Sequence, residues 1–237
     1  MEYILQALNT LNNEAASKNS TYYNQDGKRV PRVTEVISRM LHNDGLMYWA
    51  NSLGFKGLRY RDVLNQAANA GTIAHHAIEI FLKDKIKTES NIPFLGFLMW
   101  YNTITIDLGI PIEVIYIEHK IASKFVGGTL DALFKIGEKF YLIDFKTSNH
   151  VTFNYFLQLG AYKYMLKEVE NIDIDGVIVL QLDKDIPGFN EYLLDFSLPD
   201  HFSFMMHCEK TFLSILYAFY NVSKAESDFK VIFKEVI

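Results

Sequence analysis

Apolar residues recur at every second position through the middle of the chain and at three- and four-residue spacing on either side. This predicts strands set between helical segments. A short helix covers residues 1–11, and the polar stretch from there to Gly27 reads as loop. Val33, Val36, Ile37, Met40 and Leu41 mark a helix over 31–41, with Thr34 suited to its N-cap and Arg32 and Arg39 facing outward. A helix over 46–53 stops at Gly54. One long helix or two cover 59–85, where Gly71-Thr72 marks a break or a close backbone approach. After a helix over 91–108, alternation predicts strands over 111–118, 119–126, 129–136 and 139–147. A helix over 153–168, strands over 176–182 and 191–196, and a last helix over 202–222 complete the order. The fold class is α/β in the α+β sense, a small mixed sheet flanked by helices. One domain is expected, with a helical segment 1–70, a core 71–182 and a C-terminal strand and helix 183–237.

The strands over 129–136 and 139–147 flank Gly137-Glu138, and glycine in the first loop position suits a two-residue type II′ turn. Ile136 then faces Lys139, and counting back along both strands puts Asp131 opposite Asp144. Lys146 shares the face of Asp144, while Ile143 and Phe145 point to the other side. Like charges placed opposite each other cost about 0.2–1 kcal/mol, so something must offset them. A divalent cation held by the two carboxylates would do so. The plain alternative is an exposed face on which Lys146 alone neutralises the acids.

Composition narrows the setting. Of 237 residues, 49% are hydrophobic and 14% aromatic, which excludes the disordered class and allows a substantial core. No apolar run reaches membrane-spanning length, and the first residues lack a signal-peptide pattern, so an intracellular protein is expected. Cys208 is the single cysteine and cannot form an intrachain disulfide, a zinc knuckle or an iron–sulfur cluster. A net charge of −5 argues against a protein that coats nucleic acid, although metal-binding acids lower the total without excluding a nuclease. Between Tyr22 and Arg61 the balance is locally basic, with Lys28, Arg29, Arg32, Arg39, Lys56, Arg59 and Arg61 against Asp26, Glu35 and Asp44.

Two helical segments add candidate chemistry. In Gly71-Thr-Ile-Ala-His-His-Ala-Ile-Glu79, His75 and Glu79 share a helix face, whereas His76 reads as an ordinary hydrogen-bonded surface residue. Gln158 and Tyr162 lie four apart and set an amide beside a phenol; their plain reading is a half-buried polar edge. In order and spacing, Gly71-Thr-x-x-His75, Gly128-Thr-Leu-Asp131, Asp144-Phe-Lys146 and Gln158-x-x-x-Tyr162 resemble the motifs of the RecB-like branch of the PD-(D/E)XK nuclease superfamily. Upstream, Pro31-Arg-Val-Thr-Glu-Val-Ile and Tyr48-Trp-Ala are similar to the N-terminal segments of phage-type and mitochondrial genome-maintenance exonucleases of this superfamily. The resemblance covers roughly residues 31–166.

The resemblance implies a restriction-endonuclease-like core and a metal-dependent DNA exonuclease acting in replication, repair or recombination. Carried over position by position, it makes His75, Asp131, Asp144 and the backbone carbonyl of Phe145 ligands of Mg²⁺ or Mn²⁺, and Lys146 the catalytic lysine. Gln158 and Tyr162 would orient Lys146 or touch substrate phosphate; Arg32, Thr34, Arg39 and Thr147 would contact DNA; Glu79 and Glu118 are outer candidates. The cysteines of the cluster-stapled relatives are missing, and no Gly-x-x-x-x-Gly-Lys-[Ser/Thr] occurs. The protein is thus expected to act alone or beside a separate helicase or recombination partner. Two other readings share these residues: a non-catalytic nucleic-acid-binding or assembly subunit, and a hydrolase of a small phosphoester.

Overall fold

The hairpin is the centre of the sheet. Strands β4 (Gly127–Ile136) and β5 (Lys139–Lys146) pair antiparallel from Ile136 opposite Lys139 as far as Ala132 opposite Ile143. Gly137 has φ 61 and Glu138 is not left-handed, which is the type II′ turn. These relations come from a computed structural model that describes residues 1–10, 21–41, 44–87 and 91–232.

Beside β5 lies β6 (Gly176–Leu182), parallel to it, with Lys146 opposite Gln181. Parallel neighbours require a crossover, and α6 (Phe153–Glu170) supplies it. Antiparallel β7 (Phe189–Asp195) closes one edge and antiparallel β3 (Ile112–Ala122) the other, giving the order β3-β4-β5-β6-β7. Helices cover both faces. On one, α1 (Glu2–Thr10), α2 (Val33–Met40), α6 and α7 (Pro199–Ile232) bury an aliphatic core containing Leu8, Val36, Leu133, Leu142, Leu157 and Leu213. On the other, α4 (Tyr60–Asp84) and α5 (Ile92–Asn102) bury an aromatic-rich one around Phe81, Phe94, Phe97, Trp100, Phe134 and Phe145. Each such side chain contributes about 1.5–3 kcal/mol when fully buried. The expected mixed sheet flanked by helices is therefore the architecture of the chain.

Several boundaries differ from expectation. Where two strands were expected over 111–126 there is one, β3, which runs on to Ala122 because Lys120, Ile121 and Ala122 keep their pairing with Thr129, Gly128 and Gly127; residues 123–126 form the turn into β4. Helix α4 continues unbroken through Gly71-Thr72, so the expected boundary between the N-terminal segment and the core falls inside a helix. A single glycine costs about 1 kcal/mol there. A Cβ at Gly71 would lie 3.5 Å from Thr147 Oγ1, so the backbone does pass close to β5. Thr34 is not the N-cap of α2. Pro31 and Arg32 stay extended beside Gly127, whose N–H donates to Pro31 O at 3.0 Å, and the helix starts directly after Arg32. The expected loop holds a short ladder, β1 (Tyr22–Tyr23) with β2 (Arg29–Val30), while its residues 12–20 lie outside the described ones. Helix α3 (Asp44–Phe55) precedes α4, and α5 ends in a π-helical turn, Thr103–Asp107. No helix among the described residues is long and apolar enough to cross a membrane.

Candidate metal centre

Charged groups gather where β4 and β5 part. Their ladder stops at Ala132 because the next residue, Asp131, uses its side chain instead: Oδ2 accepts the Phe145 N–H at 2.7 Å. The other oxygen, Oδ1, lies 3.6 Å from His75 Nδ1, brought in by α4. The same Nδ1 is 3.1 Å from Glu118 Oε1. On the far side of the ring, Nε2 sits 3.0 Å from the Phe145 carbonyl oxygen, so the imidazole is held with Nδ1 toward the acids.

Glu118 reaches this cluster through a kink. Ile115 is an extra residue that shifts the β3–β4 register between Val114 and Tyr116, and Glu118 is left-handed with φ 48. A residue other than glycine held there costs roughly 1–3 kcal/mol. Ile117 packs in the aromatic core, yet the next residue, Glu118, also turns to α4. On β4, Ala132 is in the aromatic core and Asp131 likewise meets α4, while Leu130 and Leu133 share the aliphatic core. Regular alternation would separate residues three apart, so both strands break it at the same rung.

Asp144 and Lys146 form the second half of the centre. Ile143 and Phe145 lie in the aromatic core, and the charged pair faces α6. Lys146 Nζ straddles the carboxylate, donating to Oδ1 at 2.6 Å and lying 2.6 Å from Oδ2 without hydrogen-bond geometry. Oδ2 is left as a buried acceptor with no donor. The ammonium also sits 4.9 Å from the centre of the Tyr155 ring, and the Tyr155 hydroxyl donates to Ser148 Oγ at 2.9 Å.

Electrostatics follow from these neighbours. Burial disfavours the His75 imidazolium, but the hydrogen bond to Glu118 and the charge of Asp131 outweigh it and raise the group to about 9. Burial lifts the Asp144 carboxyl, with Lys146 opposing and Asp131 adding to the lift. Burial also works against the Lys146 ammonium, yet Asp144 and Asp131 hold it above its ordinary range, so the proton stays on the lysine. Tyr162 is buried beside the two aspartates. Burial first, then Asp131 and Asp144, push its phenol far up, with the Gln158 side chain opposing. Its ring fits because residue 128 is glycine: a Cβ there would lie 2.6 Å from Tyr162 Cε1.

The cluster fits a divalent cation. Ligand atoms of His75, Glu118 and Asp131 all lie within 4.8 Å of one another. An octahedral ion with ligands at about 2.1 Å sets adjacent ligands about 3.0 Å apart and opposite ones about 4.2 Å. The 3.1 Å separation is close to the adjacent spacing, and the 3.6 Å one falls between the adjacent and opposite spacings. One imidazole and two carboxylates suit Mn²⁺ as well as Mg²⁺. Because the imidazolium balances the acids, uptake of a metal here would require His75 to give up a proton.

The structure thus brings together His75, Asp131, Asp144, Lys146 and Tyr162. It joins Glu118 to His75 and Asp131 in a cluster that does not include Asp144, and it turns the Phe145 carbonyl to the far ring nitrogen. Gln158 lies one helical turn from Tyr162 on α6. Thr34 lines a cleft of about 940 Å³ with Thr72, His75, Glu79, Glu118 and Lys146. Thr147 lines an adjoining cleft of about 490 Å³ with Trp49, Leu64 and Lys184. Arg39 is engaged elsewhere, paired with Glu226 of α7 and over the Phe219 ring. Arg32 sits at the start of α2, beside Gly127. Glu79 is bonded to Lys83 at 2.6 Å, and His76 is an exposed neighbour of Glu79 at 3.5 Å. Tyr155 was not anticipated, although it falls on the helix face of Gln158 and Tyr162.

No family model matches the chain, and no curated protein matches it. Among solved structures, the crystal structure of SSO0001 is similar at 14% identity, covering 90% of this chain and 82% of the other with a TM-score of 0.34, too slight to bear on fold or activity.

Proposed function

We propose that this chain is a metal-dependent nuclease that hydrolyses phosphodiester bonds of DNA inside the cell, working from strand ends in replication, repair or recombination. The observation that carries the reading is the convergence, at one rung of the sheet, of a His75–Glu118–Asp131 ligand set with a buried Asp144–Lys146 pair beside an open cleft. The motif resemblance supplies the substrate class. Mg²⁺ or Mn²⁺ held by the ligand set would neutralise charge on the phosphate as it develops in the transition state. Asp131 would hold its place through the Phe145 N–H, and His75 through the Phe145 carbonyl. Lys146, fixed by Asp144 and the Tyr155 ring, would hold a phosphate oxygen or polarise the attacking water with its ammonium. Asp144 keeps that ammonium charged.

The test is degradation of end-labelled DNA in Mg²⁺ or Mn²⁺. Wild type should degrade it, while Asp131→Ala and Lys146→Ala should lose at least a hundredfold in rate. Equal degradation by all three proteins overturns the proposal. DNA retention without turnover would instead favour the binding subunit, and preference for a small phosphoester over the polymer would favour the third reading.

A further inference from the structure

Tyr116 and His119 are three residues apart on β3. In a regular strand such residues point to opposite faces, so their side chains cannot meet. Here the two rings lie 4.0 Å apart, centre to centre, and within 8° of parallel. Glu118, left-handed between them, is what allows it, because it reverses the alternation ahead of His119. The stack is anchored from outside the strand. His119 Nε2 lies 2.6 Å from Oε1 of Glu170, the last residue of α6, and burial first, then the same carboxylate, raise the Tyr116 phenol.

We propose that the Tyr116–His119 stack, tied to Glu170, is a latch that holds Glu118 in its left-handed conformation and so keeps its carboxylate against His75 and Asp131. His119 and Glu170 are then positioning residues, acting on the centre through Glu118 alone. The geometry explains why an edge strand tolerates a strained glutamate. Relaxing Glu118 to an extended backbone would restore alternation, swing His119 to the opposite face, and break both the stack and the contact with Glu170. Helix α6 therefore braces both halves of the centre, Lys146 through Tyr155 in its first turn and Glu118 through Glu170 at its end. The functional meaning rests on the metal reading above; the backbone geometry does not.

Two measurements test it: crystal structures, and Mn²⁺ titration followed by electron paramagnetic resonance. They are applied to wild type, His119→Ala, Glu118→Gln and the double variant. In His119→Ala, Glu118 should become extended and leave His75. Mn²⁺ affinity should fall about tenfold, as expected for loss of an outer-shell partner. The double variant should bind no more weakly than Glu118→Gln, since a residue acting only through Glu118 has nothing left to act on. Tyr116→Phe, which keeps the stack, should bind like wild type. Glu118 still left-handed against His75 in His119→Ala, or a further loss in the double variant, overturns the latch. If His119→Ala does not fold, Glu170→Gln decides by the same measurements. Wild type that takes up no Mn²⁺ sinks the metal reading, while the crystal structures still decide the latch.

Discussion

Strand β5 presents Asp144 and Lys146 by keeping the alternation of a regular strand, whereas β3 presents Glu118 by breaking it. The difference follows from where the strands lie. β5 is central, hydrogen-bonded to β4 on one side and β6 on the other, and a kink would disrupt two ladders. β3 is an edge strand with one neighbour, so a bulge and a left-handed residue disturb only one. The costs differ accordingly. In β5 the cost is solvation, since Asp144 is 2% exposed and its second oxygen has no donor. In β3 it is backbone strain, since the Glu118 side chain remains 31% exposed and needs little rescue from desolvation. A buried charge and a strained backbone are two routes to the same end, and substitutions should separate them.

The largest expected effect is in β5. Lys146→Met leaves Asp144 buried without its ammonium and should cost about 3–5 kcal/mol in urea unfolding. Adding Asp144→Asn should recover much of that, because the uncompensated charge is gone. Equal losses in the single and double variants would show that solvation of Asp144 is not what Lys146 supports. Glycine separates the two strands at smaller scale. At the left-handed position, Glu118→Gly should be more stable than Glu118→Ala by about 1 kcal/mol. At Phe140, in the regular part of β5, the order of Gly and Ala should reverse by about 0.5–1 kcal/mol. The same order at both positions would remove the contrast between a strained β3 and a relaxed β5.

How far the sequence reveals this centre follows the same division. The hairpin register was legible because Gly137-Glu138 sets the turn and alternation sets the faces, which located Asp144 and Lys146 on one side of β5. His75 was singled out only by the motif resemblance, since helical spacing paired it with Glu79, and register set Asp131 opposite Asp144, whereas the ladder ends one residue earlier and Asp131 turns to His75. Glu118 was legible only as an outer candidate, because a strand expected to end at 118 gives its last glutamate to solvent. Its signal was present in Val114-Ile115-Tyr116-Ile117, four apolar residues in a row, which no alternating strand accommodates. Arg39 shows a different obstacle. Its partner Glu226 is 187 residues away on a part of α7 beyond the expected helix end, and no local pattern reports such a contact. Gly71 failed as a helix breaker because one glycine is a weak term against the packing of a 25-residue helix.

The smallest expected effect concerns the other end of β5, where charge pairing is achieved with little burial. Lys139 Nζ lies 2.9 Å from Asp195 Oδ2 at the end of β7, and the Ser197 N–H donates to Oδ1 at 2.9 Å. The lysine, then the backbone donor, hold the Asp195 carboxyl down to about 2. A carboxyl whose folded value lies below its unfolded value of about 3.9 stabilises the fold above that pH and loses the contribution as pH falls toward 2. The pair is partly exposed, at 44% and 23% for the two side chains, so solvent and salt screen it strongly. Asp195→Asn should therefore lower stability slightly at pH 6 and flatten the decline between about pH 4 and 2, as read by urea midpoints across that range. The pH 6 effect should shrink in 1 M salt, unlike that of Lys146→Met, whose partner is sealed from solvent. A salt-insensitive loss at Asp195 would mean that the backbone donor, not Lys139, is the partner that matters there.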